Sequence, residues 1–404
     1  MSSTSLNIAM LSLHSSPVGP VGTQNTGGMS IYVRELARWL GRAGHRVDIF
    51  TSAGEGPEQT TLYPNVRLMT VGQGRFAHIA KEQLPNHLPQ LYHSVEQYRQ
   101  KLEVTYDIIH SHYWISGVVG AMAQSQWQCP HLMMFHTLGA AKNRTRSSEH
   151  ESALRLDHEQ SLVVAADHII VPTQLERDHL VSLYHAHPAK ISVIPCGVNL
   201  ELFHPGNRQA ARQQLGLAPQ DEVVLYVGRF APLKGVDTLI QAAARMQPTY
   251  PHLKWLVVGG DDPDDTATCN LAALVERLNL QQVVHFQGRI AQHRLPLYYR
   301  AADMLALPSH YESFGLVVLE ALACGTPVVA TPVGAAADLV QQGVNGTLIA
   351  APEPQALAEG VSRILALPPD QRPTPQQVHA SVQTYGWEGI ASAIVQIVKY
   401  KAQV

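Results

Sequence analysis

The sequence predicts an α/β protein with two domains, each built on a doubly wound parallel sheet. Short apolar segments typical of buried strands alternate with amphipathic segments typical of helices along most of the 404 residues. A Pro- and Gly-rich segment, 194–206, interrupts the alternation, and the pattern then restarts. Because one core rarely grows to this size, we expect domains at 1–193 and 194–386, followed by a C-terminal helix, 387–404.

The first domain begins with an apolar strand, 7–13, and a Gly-rich loop that ends at Gly27 and Gly28. A helix is predicted from Ser30 to about Ala43, since apolar residues recur on one face of this segment. The first amides of a helix have no partner inside it, so the loop and the helix start together would form a cradle for an anion.

Polar residues end or follow the later strands of this domain, at the edge where ligands of doubly wound sheets collect. Strands are predicted at 44–50, 107–110, 131–135 and 167–173. The polar residues at the ends of the second and third of these strands are His110, Ser111, His112, Tyr113, His136 and Thr137. We therefore expect a ligand site beside them.

The second domain restarts with a strand, 223–227, and a loop, 228–235, that opens the next helix. Arg229 and Lys234 lie in this loop at the carboxyl edge of the predicted sheet. Two cations there can face a diphosphate and neutralise the charge that builds on a leaving group. Further strand-to-glycine turns are predicted at 256–260 and 283–288.

The segment 310–331 carries two glutamates in the pattern loop, helix, turn and strand. Its helix is expected to start near Ser313, and Gly315 would let an anion approach the first amides closely. Glu320 falls about two turns into an apolar helix. A buried carboxylate there needs hydrogen-bond donors, which a pair of ribose hydroxyls would supply. Eight helical residues span at most about 12 Å, so one ligand could contact both Glu312 and Glu320.

Charge, cysteine usage and hydropathy exclude several classes of protein. The net charge of -3 and the pI near 6.7 give no basis for binding nucleic acid or an anionic membrane. The four cysteines form no CxxC pair and the 21 histidines lack metal-ligand spacing, so we expect neither a zinc site nor a disulfide framework. The N-terminus reaches an apolar strand without a basic n-region, and no apolar run reaches about 18 residues, so we expect a cytoplasmic enzyme without a membrane span. The sequence has no P-loop, and no dinucleotide fingerprint opens the first strand-helix unit, which argues against a dehydrogenase.

Two motifs resemble the retaining glycosyltransferases of family 4, which have the GT-B fold. Glu312-Ser-Phe-Gly, followed by Glu320-Ala and Cys324-Gly-Thr-Pro-Val-Val-Ala, matches their Glu-x7-Glu signature. Gly228-Arg-x-x-Pro-x-Lys-Gly matches their phosphate-binding loop. The resemblance covers nearly the whole chain. It implies two Rossmann-like domains that face a cleft, with the acceptor on the N-terminal domain, the nucleotide sugar on the C-terminal domain, and the C-terminal helix returning to the first domain.

The resemblance also implies roles for residues in the donor half of the site. A UDP-linked sugar would be attacked on the leaving group's own face, without a protein nucleophile, an essential metal or another cofactor. The donor-binding residues so implied are Gly28, Arg229, Lys234, Ile290, Glu312, Phe314, Gly315, Leu316 and Glu320. Those assigned to catalysis are Arg229, Lys234, Glu312 and His136. Glu320 would bind the ribose, whereas Glu312 and His136 would position the donor sugar.

Within the family, the chain is most similar to the enzymes that transfer N-acetylglucosamine to inositol phosphate in mycothiol synthesis. The residues that align with their acceptor phosphate clasp are Lys81, Tyr113, Thr137 and Arg155. Two cations with two hydroxyl donors suit a phosphomonoester. Ser30, also assigned to the acceptor site, stands where those enzymes carry an asparagine that contacts inositol, which weakens the case for inositol. Bacterial sucrose-phosphate synthases are also similar, so fructose 6-phosphate is an alternative acceptor.

Two classes outside glycosyl transfer remain open: a nucleotide-sugar epimerase on the same fold and a non-catalytic nucleotide-sugar binder. An epimerase would isomerise the donor without an acceptor, and a binder would hold the UDP-sugar without turnover. The sequence leaves open the donor sugar, the acceptor, any assistance from a divalent metal, and the oligomeric state, including a homodimer.

Overall fold

The protein is described by a computed structural model that covers residues 5–19, 26–54, 57–72, 74–145, 150–260, 266–368 and 370–402. It divides into two compact units. One unit reaches to Cys196 and includes the chain from Trp387 onward, and the other is Gly197–Gly386. Each unit consists of one predominantly parallel sheet with helices packed on it, as predicted for each domain.

The first unit is built on an eight-stranded sheet. Its strands are β1 (Asn7–Leu11), β2 (Arg46–Thr51), β3 (Gln59–Tyr63), β4 (Val66–Thr70), β5 (Ile108–His112), β6 (His131–Met134), β7 (His168–Val171) and β8 (Ile191–Val193). They lie in the order β3-β4-β2-β1-β5-β6-β7-β8, and each neighbouring pair is parallel except β3 and β4. The order reverses between β1 and β5, so a ligand crevice is expected at the carboxyl ends of these strands.

Helices cover the first sheet and make its central strands almost inaccessible. The helices are α1 (Gly28–Arg42), α2 (Leu88–Lys101), α3 (Tyr113–Trp127), α4 (Gly139–Asn143), α5 (Ala153–Ala165) and α6 (Gln174–Tyr184). All residues of β5, β6 and β7 are buried. This burial on both faces explains why the apolar residues of these strands are consecutive rather than alternating, although β5 also buries three polar residues.

The second unit is built on a six-stranded parallel sheet. Its strands are β9 (Val223–Val227), β10 (Lys254–Val258), β11 (Val284–Gly288), β12 (Met304–Leu307), β13 (Val328–Ala330) and β14 (Gly346–Leu348). They lie in the order β11-β10-β9-β12-β13-β14. Here the order reverses between β9 and β12, and the carboxyl ends of these two strands are the expected ligand position.

The helices of the second unit are α7 (Arg208–Gln214), α8 (Val236–Met246), α9 (Thr266–Arg277), α10 (Leu295–Ala301), α11 (Leu316–Ala323), α12 (Ala336–Leu339), α13 (Pro354–Leu365) and α14 (Pro375–Ala380). The last helix of the chain, α15 (Trp387–Ala402), belongs to the first unit and packs on α1. Trp387, only 2% exposed, contacts the Tyr32 ring edge to face at 5.3 Å. None of the described helices is long and apolar enough to cross a membrane.

The ends of several strands and helices differ from the predicted ones. β9 occupies the predicted residues, whereas β5 continues to His112 instead of ending at His110. His110, Ser111 and His112 are therefore buried strand residues rather than residues of a following loop. α1 begins at Gly28 instead of Ser30. Parallel strands that are covered on both faces tolerate polar side chains with local partners, so polarity alone misplaces their ends.

Candidate active site

The loops that follow β9 and β12 meet at the switch point of the second sheet. Gly235 lies in the first loop with a φ of +67°, and a Cβ there would come within 2.2 Å of the Pro308 carbonyl oxygen in the second. Glycine alone permits both the backbone conformation and the close approach. This contact fixes the loop that carries Lys234 against the loop that leads to Glu312.

Lys234 and Glu312 form an ion pair between these loops. The Lys234 Nζ lies 2.7 Å from the Glu312 Oε1, and the two side chains are 19% and 11% exposed. The Ser309 hydroxyl donates to the same carboxylate oxygen at 3.0 Å. The structure thus brings together two of the predicted catalytic residues and shields them partly from water.

Arg229 lies in the same loop as Lys234 and is exposed. The Tyr226 hydroxyl donates to the Arg229 carbonyl oxygen at 3.1 Å and so holds the backbone of this residue. The Arg229 guanidinium makes no hydrogen bond or ion pair with any described residue. It is therefore a cation available to an anionic ligand.

The helix that follows Glu312 begins later than predicted. Gly315, with a φ of +89°, is the N-cap, and α11 starts at Leu316 rather than near Ser313. Phe314 is buried and its carbonyl oxygen accepts a hydrogen bond from the Ala335 amide, so this backbone serves another segment instead of a helix. The predicted anion site at the first amides of this helix therefore lies at Leu316 and the residues after it, rather than near Ser313. The Leu316 amide has no backbone partner within the described ranges.

Glu320 is buried at 5% exposure on α11, and protein side chains supply its hydrogen-bond donors. The Tyr299 hydroxyl donates to one carboxylate oxygen at 2.9 Å, and the Gln292 amide donates to the other at 3.2 Å. Sequence reasoning did not identify these two protein donors, because the pattern of apolar residues cannot show contacts with α10 and with the loop after β11. The contact of Glu320 with ribose hydroxyls stays a prediction. Ile290, half-buried, lies in that loop together with Gln292.

A second group of predicted site residues surrounds Tyr113 in the first unit. The Lys81 Nζ lies 4.5 Å from the centre of the Tyr113 ring, and the Arg155 Cζ lies 4.9 Å from it. The His14 ring lies 4.3 Å from the same ring. These contacts place two cations beside one aromatic side chain at the carboxyl edge of the sheet.

Arg155 is 2% exposed and its guanidinium is held by several partners. Its Nε donates to the Glu159 Oε1 at 2.7 Å, and its Nη1 lies 2.9 Å from the Glu151 Oε1. Its Nη2 donates to the Thr137 hydroxyl at 2.9 Å and to the Thr137 carbonyl oxygen at 2.8 Å. The structure thus brings the four predicted clasp residues together. Lys81 differs from Arg155 because it forms no ion pair with the described residues.

His136 lies two residues after the end of β6 in the left-handed region, with a φ of +60°, and Tyr113 begins α3 with a φ of +72°. Such a conformation costs a residue other than glycine about 1–3 kcal/mol and is concentrated at functional sites. The His136 Nε2 lies 2.9 Å from the His112 Nδ1. Burial lowers the pKa of His136 to about 3, so its imidazole is neutral at physiological pH.

The two remaining predicted site residues of the first unit, Gly28 and Ser30, lie in the first turn of α1. Gly28 is the first residue of α1, so its amide belongs to the turn that lacks intrahelical partners. Ser30 is buried, and its hydroxyl lies 2.7 Å from the Ser15 hydroxyl. Ser30 therefore pairs with Ser15 instead of joining the hydrogen bonds around Arg155.

Sequence reasoning assigned no role to His14, Glu159, Tyr299 or Ser309. His14 and Ser309 follow β1 and β12, so the switch-point rule could have identified both once the strand order was known. Glu159 lies four residues after Arg155 on α5, so helix spacing could have identified that ion pair. Tyr299 and its partner Glu320 lie on different helices, and no spacing reveals their contact. Among the described residues, no group of three or more His, Cys, Asp or Glu could hold a metal ion.

Comparison with known proteins gives matches along most of the chain. Residues 26–202 match the family model described as Glycosyltransferase Family 4, and residues 207–378 match the model described as Glycosyl transferases group 1. A D-inositol 3-phosphate glycosyltransferase 2 from Catenulispora acidiphila is 39% identical over 98% of this chain and 95% of the relative. A D-inositol 3-phosphate glycosyltransferase from Actinosynnema mirum is 42% identical over 89% of each chain.

One solved structure is similar to this chain in both fold and sequence. Sucrose-phosphate synthase from Thermosynechococcus elongatus superposes with a TM-score of 0.89, covers 98% of each chain, and is 35% identical in sequence. The similarity therefore extends over both units.

Proposed function

The chain belongs to glycosyltransferase family 4 and has the GT-B fold, and from this premise we propose that it transfers a hexosyl or N-acetylhexosaminyl unit from a UDP-sugar to a small phosphorylated acceptor, with retention of anomeric configuration. The second unit would hold the donor and the first unit the acceptor. The proposal of a phosphorylated acceptor rests mainly on Lys81. Its Nζ lies 4.5 Å from the centre of the Tyr113 ring, and it forms no ion pair with the described residues.

The donor half of the proposal rests on the loops after β9 and β12. Arg229 and Lys234 would bind the diphosphate, and the amides that follow Phe314 would add donors at the start of α11. Gly28 would contribute a backbone amide. Since two cations would carry the charge of the leaving group, we propose that no divalent metal is needed. Turnover that survives chelation by EDTA would agree with this, and turnover that requires added metal would contradict it.

Other side chains would position the donor rather than carry charge. Glu320, oriented by the Tyr299 hydroxyl, would accept hydrogen bonds from the ribose. Glu312, oriented by Lys234, and the neutral His136 would contact hydroxyls of the donor sugar. Ile290 would lie against the base.

The chemistry would require no protein nucleophile. The bond between the anomeric carbon and the donor phosphate oxygen breaks with its electron pair staying on the UDP. The acceptor hydroxyl forms the new bond from the same face, and its proton passes to a phosphate oxygen of the departing UDP. The developing negative charge would be stabilised by Arg229 and Lys234.

Inositol phosphate is the first candidate acceptor, because relatives about 40% identical over most of this chain are named D-inositol 3-phosphate glycosyltransferases. Fructose 6-phosphate is the second, because the sucrose-phosphate synthase structure matches both units. Ser30 in place of the inositol-contacting asparagine also favours this second candidate. Either acceptor presents a phosphomonoester to the group around Tyr113.

The test is a matrix of two donors and four acceptors. UDP-glucose and UDP-N-acetylglucosamine would each be combined with D-inositol 3-phosphate, fructose 6-phosphate, and the matched controls inositol and fructose. UDP release and product mass are the readouts. We expect one phosphorylated acceptor to support transfer and its unphosphorylated control to be far slower. UDP release that ignores the acceptor phosphate would contradict the acceptor class, and donor isomerisation without acceptor would indicate an epimerase.

A further inference from the structure

A cluster of arginines occupies the amino edge of the second sheet. Asp303 directly precedes β12, and its Oδ2 accepts hydrogen bonds from the Val223 amide at 2.8 Å and from the Arg212 Nη2 at 2.9 Å. Arg208 donates to the other oxygen, and the Arg372 Nη1 lies 3.9 Å from it. One carboxylate thus faces three guanidinium groups.

A small pocket lies beside this carboxylate. It has a volume of about 90 Å³ and is lined by Arg208, Arg300 and Arg372, together with Asp303, Cys324 and Thr326. Arg300 reaches it from α10, with its Nε donating to the His204 carbonyl oxygen at 2.9 Å. Three segments that are distant in sequence therefore direct arginines at the same space.

The pocket has more positive than negative charge. Arg208, Arg212 and Arg372 form ion pairs with Asp303, and Arg372 also lies 3.8 Å from Glu222. Arg300 forms no ion pair with the described residues, so the cluster holds four arginines and two carboxylates. Like charges gathered in one place repel one another, so an anion that joins them is favoured.

Some guanidinium N–H groups of Arg300 and Arg208 have no partner among the described residues and could donate hydrogen bonds to a ligand. Arg212 uses its three nitrogens on Asp303, the Ala301 carbonyl oxygen and the Pro219 carbonyl oxygen. By contrast, neither terminal nitrogen of Arg300 has a hydrogen-bond partner among the described residues. The Nε and Nη1 of Arg208 have none there either. These planar donors match the geometry of a tetrahedral oxyanion.

We propose that this pocket binds a phosphate-type oxyanion, either inorganic phosphate or the phosphoryl group of a sugar phosphate. A water-sized group needs about 10–15 Å³, so a space of about 90 Å³ admits a five-atom phosphate. Bound phosphate would neutralise the charge excess and link α7, α10 and the segment after α13.

The proposed site is distinct from the candidate active site. Asp303 and Val223 lie at the amino ends of β12 and β9, whereas Ser309 and Arg229 lie beyond the carboxyl ends of the same strands. A five-residue strand is about 17 Å long, so the two positions lie at opposite edges of one sheet. A ligand of one site would not touch the other.

The test is calorimetric titration of the full-length protein with inorganic phosphate, at constant ionic strength set with chloride to keep screening equal. Arg300→Gln and Arg208→Gln each remove donors from the pocket, and the latter side chain is 45% exposed, so folding should survive. Arg245→Gln is the matched control, since Arg245 is an exposed arginine on α8 of the same unit. Lys81→Ala and Lys234→Ala remove phosphate contacts from the candidate active site.

We expect either pocket variant to weaken phosphate binding about tenfold or more, as loss of a charge-assisted contact commonly does. The control should bind as the wild type does, and both active-site variants should retain the binding that the pocket variants lose. Absence of binding, or binding of unchanged affinity in both pocket variants, would overturn the proposal. Loss of binding in Lys81→Ala or Lys234→Ala alone would assign the phosphate to the active site and would overturn it as well.

A parallel titration with glucose 6-phosphate distinguishes the two sources of the phosphoryl group. Equal affinities would identify phosphate itself as the ligand, since the sugar then adds no contact. Tighter binding of glucose 6-phosphate that is lost in Arg300→Gln would identify a sugar phosphate whose ring lies at the mouth of the pocket. Melting temperatures of all variants, measured without phosphate, provide the check that each is folded.

Discussion

Replacing Lys234 by alanine removes one of the two cations assigned to the donor diphosphate. In the structure its ammonium group lies 2.7 Å from the Glu312 carboxylate and is largely shielded from water. A unit charge about 4 Å from another contributes about 4 kcal/mol at an effective dielectric constant near 20. Loss of one preorganised contact to a developing anion commonly lowers turnover by about 10²–10³-fold, or about 2.7–4 kcal/mol. The two magnitudes agree, so we expect a loss of at least about 10²-fold in kcat.

Lys254 provides a closely matched control for this substitution. Its Nζ lies 2.7 Å from the Asp221 Oδ2, and the two side chains are 30% and 12% exposed. The Lys254–Asp221 pair therefore equals the Lys234–Glu312 pair in length and nearly in burial, but it lies at the amino edge of the sheet. Lys254→Ala should leave turnover unchanged.

The assay is acceptor-dependent UDP release, with kcat and KM for the donor determined separately and the melting temperature of each variant measured alongside. A Lys234→Ala enzyme that turns over near the wild-type rate would refute the assignment of the diphosphate to this loop. An equal loss in Lys254→Ala would show that breaking any half-buried ion pair of this unit impairs the enzyme, and would refute it too.

Three further predictions concern the first unit. Lys81→Ala should raise the KM for the phosphorylated acceptor about tenfold or more while sparing hydrolysis of the donor, because it removes the unpaired cation beside Tyr113; equal losses in both activities would remove Lys81 from the acceptor site. Arg155→Ala leaves the buried Glu159 carboxylate without its cation, so chemical denaturation should show about 3–5 kcal/mol less stability, and an unchanged midpoint would contradict the pairing. Burial, and after it the charge of Glu159, raise the pKa of Glu176 from 4.5 to about 8. The native state then keeps a proton that the unfolded chain releases, so the stabilising contribution is complete below pH 4.5 and is lost as the pH rises through 8. Relative to Glu176→Gln, the wild type should lose up to about 1.4 kcal/mol per pH unit in that window, and parallel stability curves would contradict the shift.

Much of the fold follows from sequence because long parallel strands are apolar and are punctuated by glycine. β9 spans the predicted residues, and the restart after segment 194–206 corresponds to the second unit that begins at Gly197. The predicted ends of strands and helices are wrong where a polar residue is buried inside a strand or where a glycine has a left-handed backbone conformation. His112 remains inside β5 although it is polar, and Gly315 delays α11 because a left-handed residue cannot belong to the helix.

The candidate site is predictable only to the extent that its residues end strands or stand in recognisable motifs. Lys234 and Glu312 come from two such motifs, and the structure joins them in one ion pair. Residues held by tertiary contacts are beyond sequence reasoning. Arg155 and Glu159 stand four residues apart on α5, so their ion pair agrees with helix spacing. No spacing shows that Arg155 also contacts Thr137, or that Lys81 forms no ion pair among the described residues.

The most direct test of the donor assignment is a crystal structure of the protein with an intact UDP-sugar or with UDP. We predict that diphosphate oxygens lie within hydrogen-bond distance of the Arg229 guanidinium and the Leu316 amide, with ribose hydroxyls on the Glu320 carboxylate. A diphosphate bound away from both the loop after β9 and the start of α11 would contradict the account.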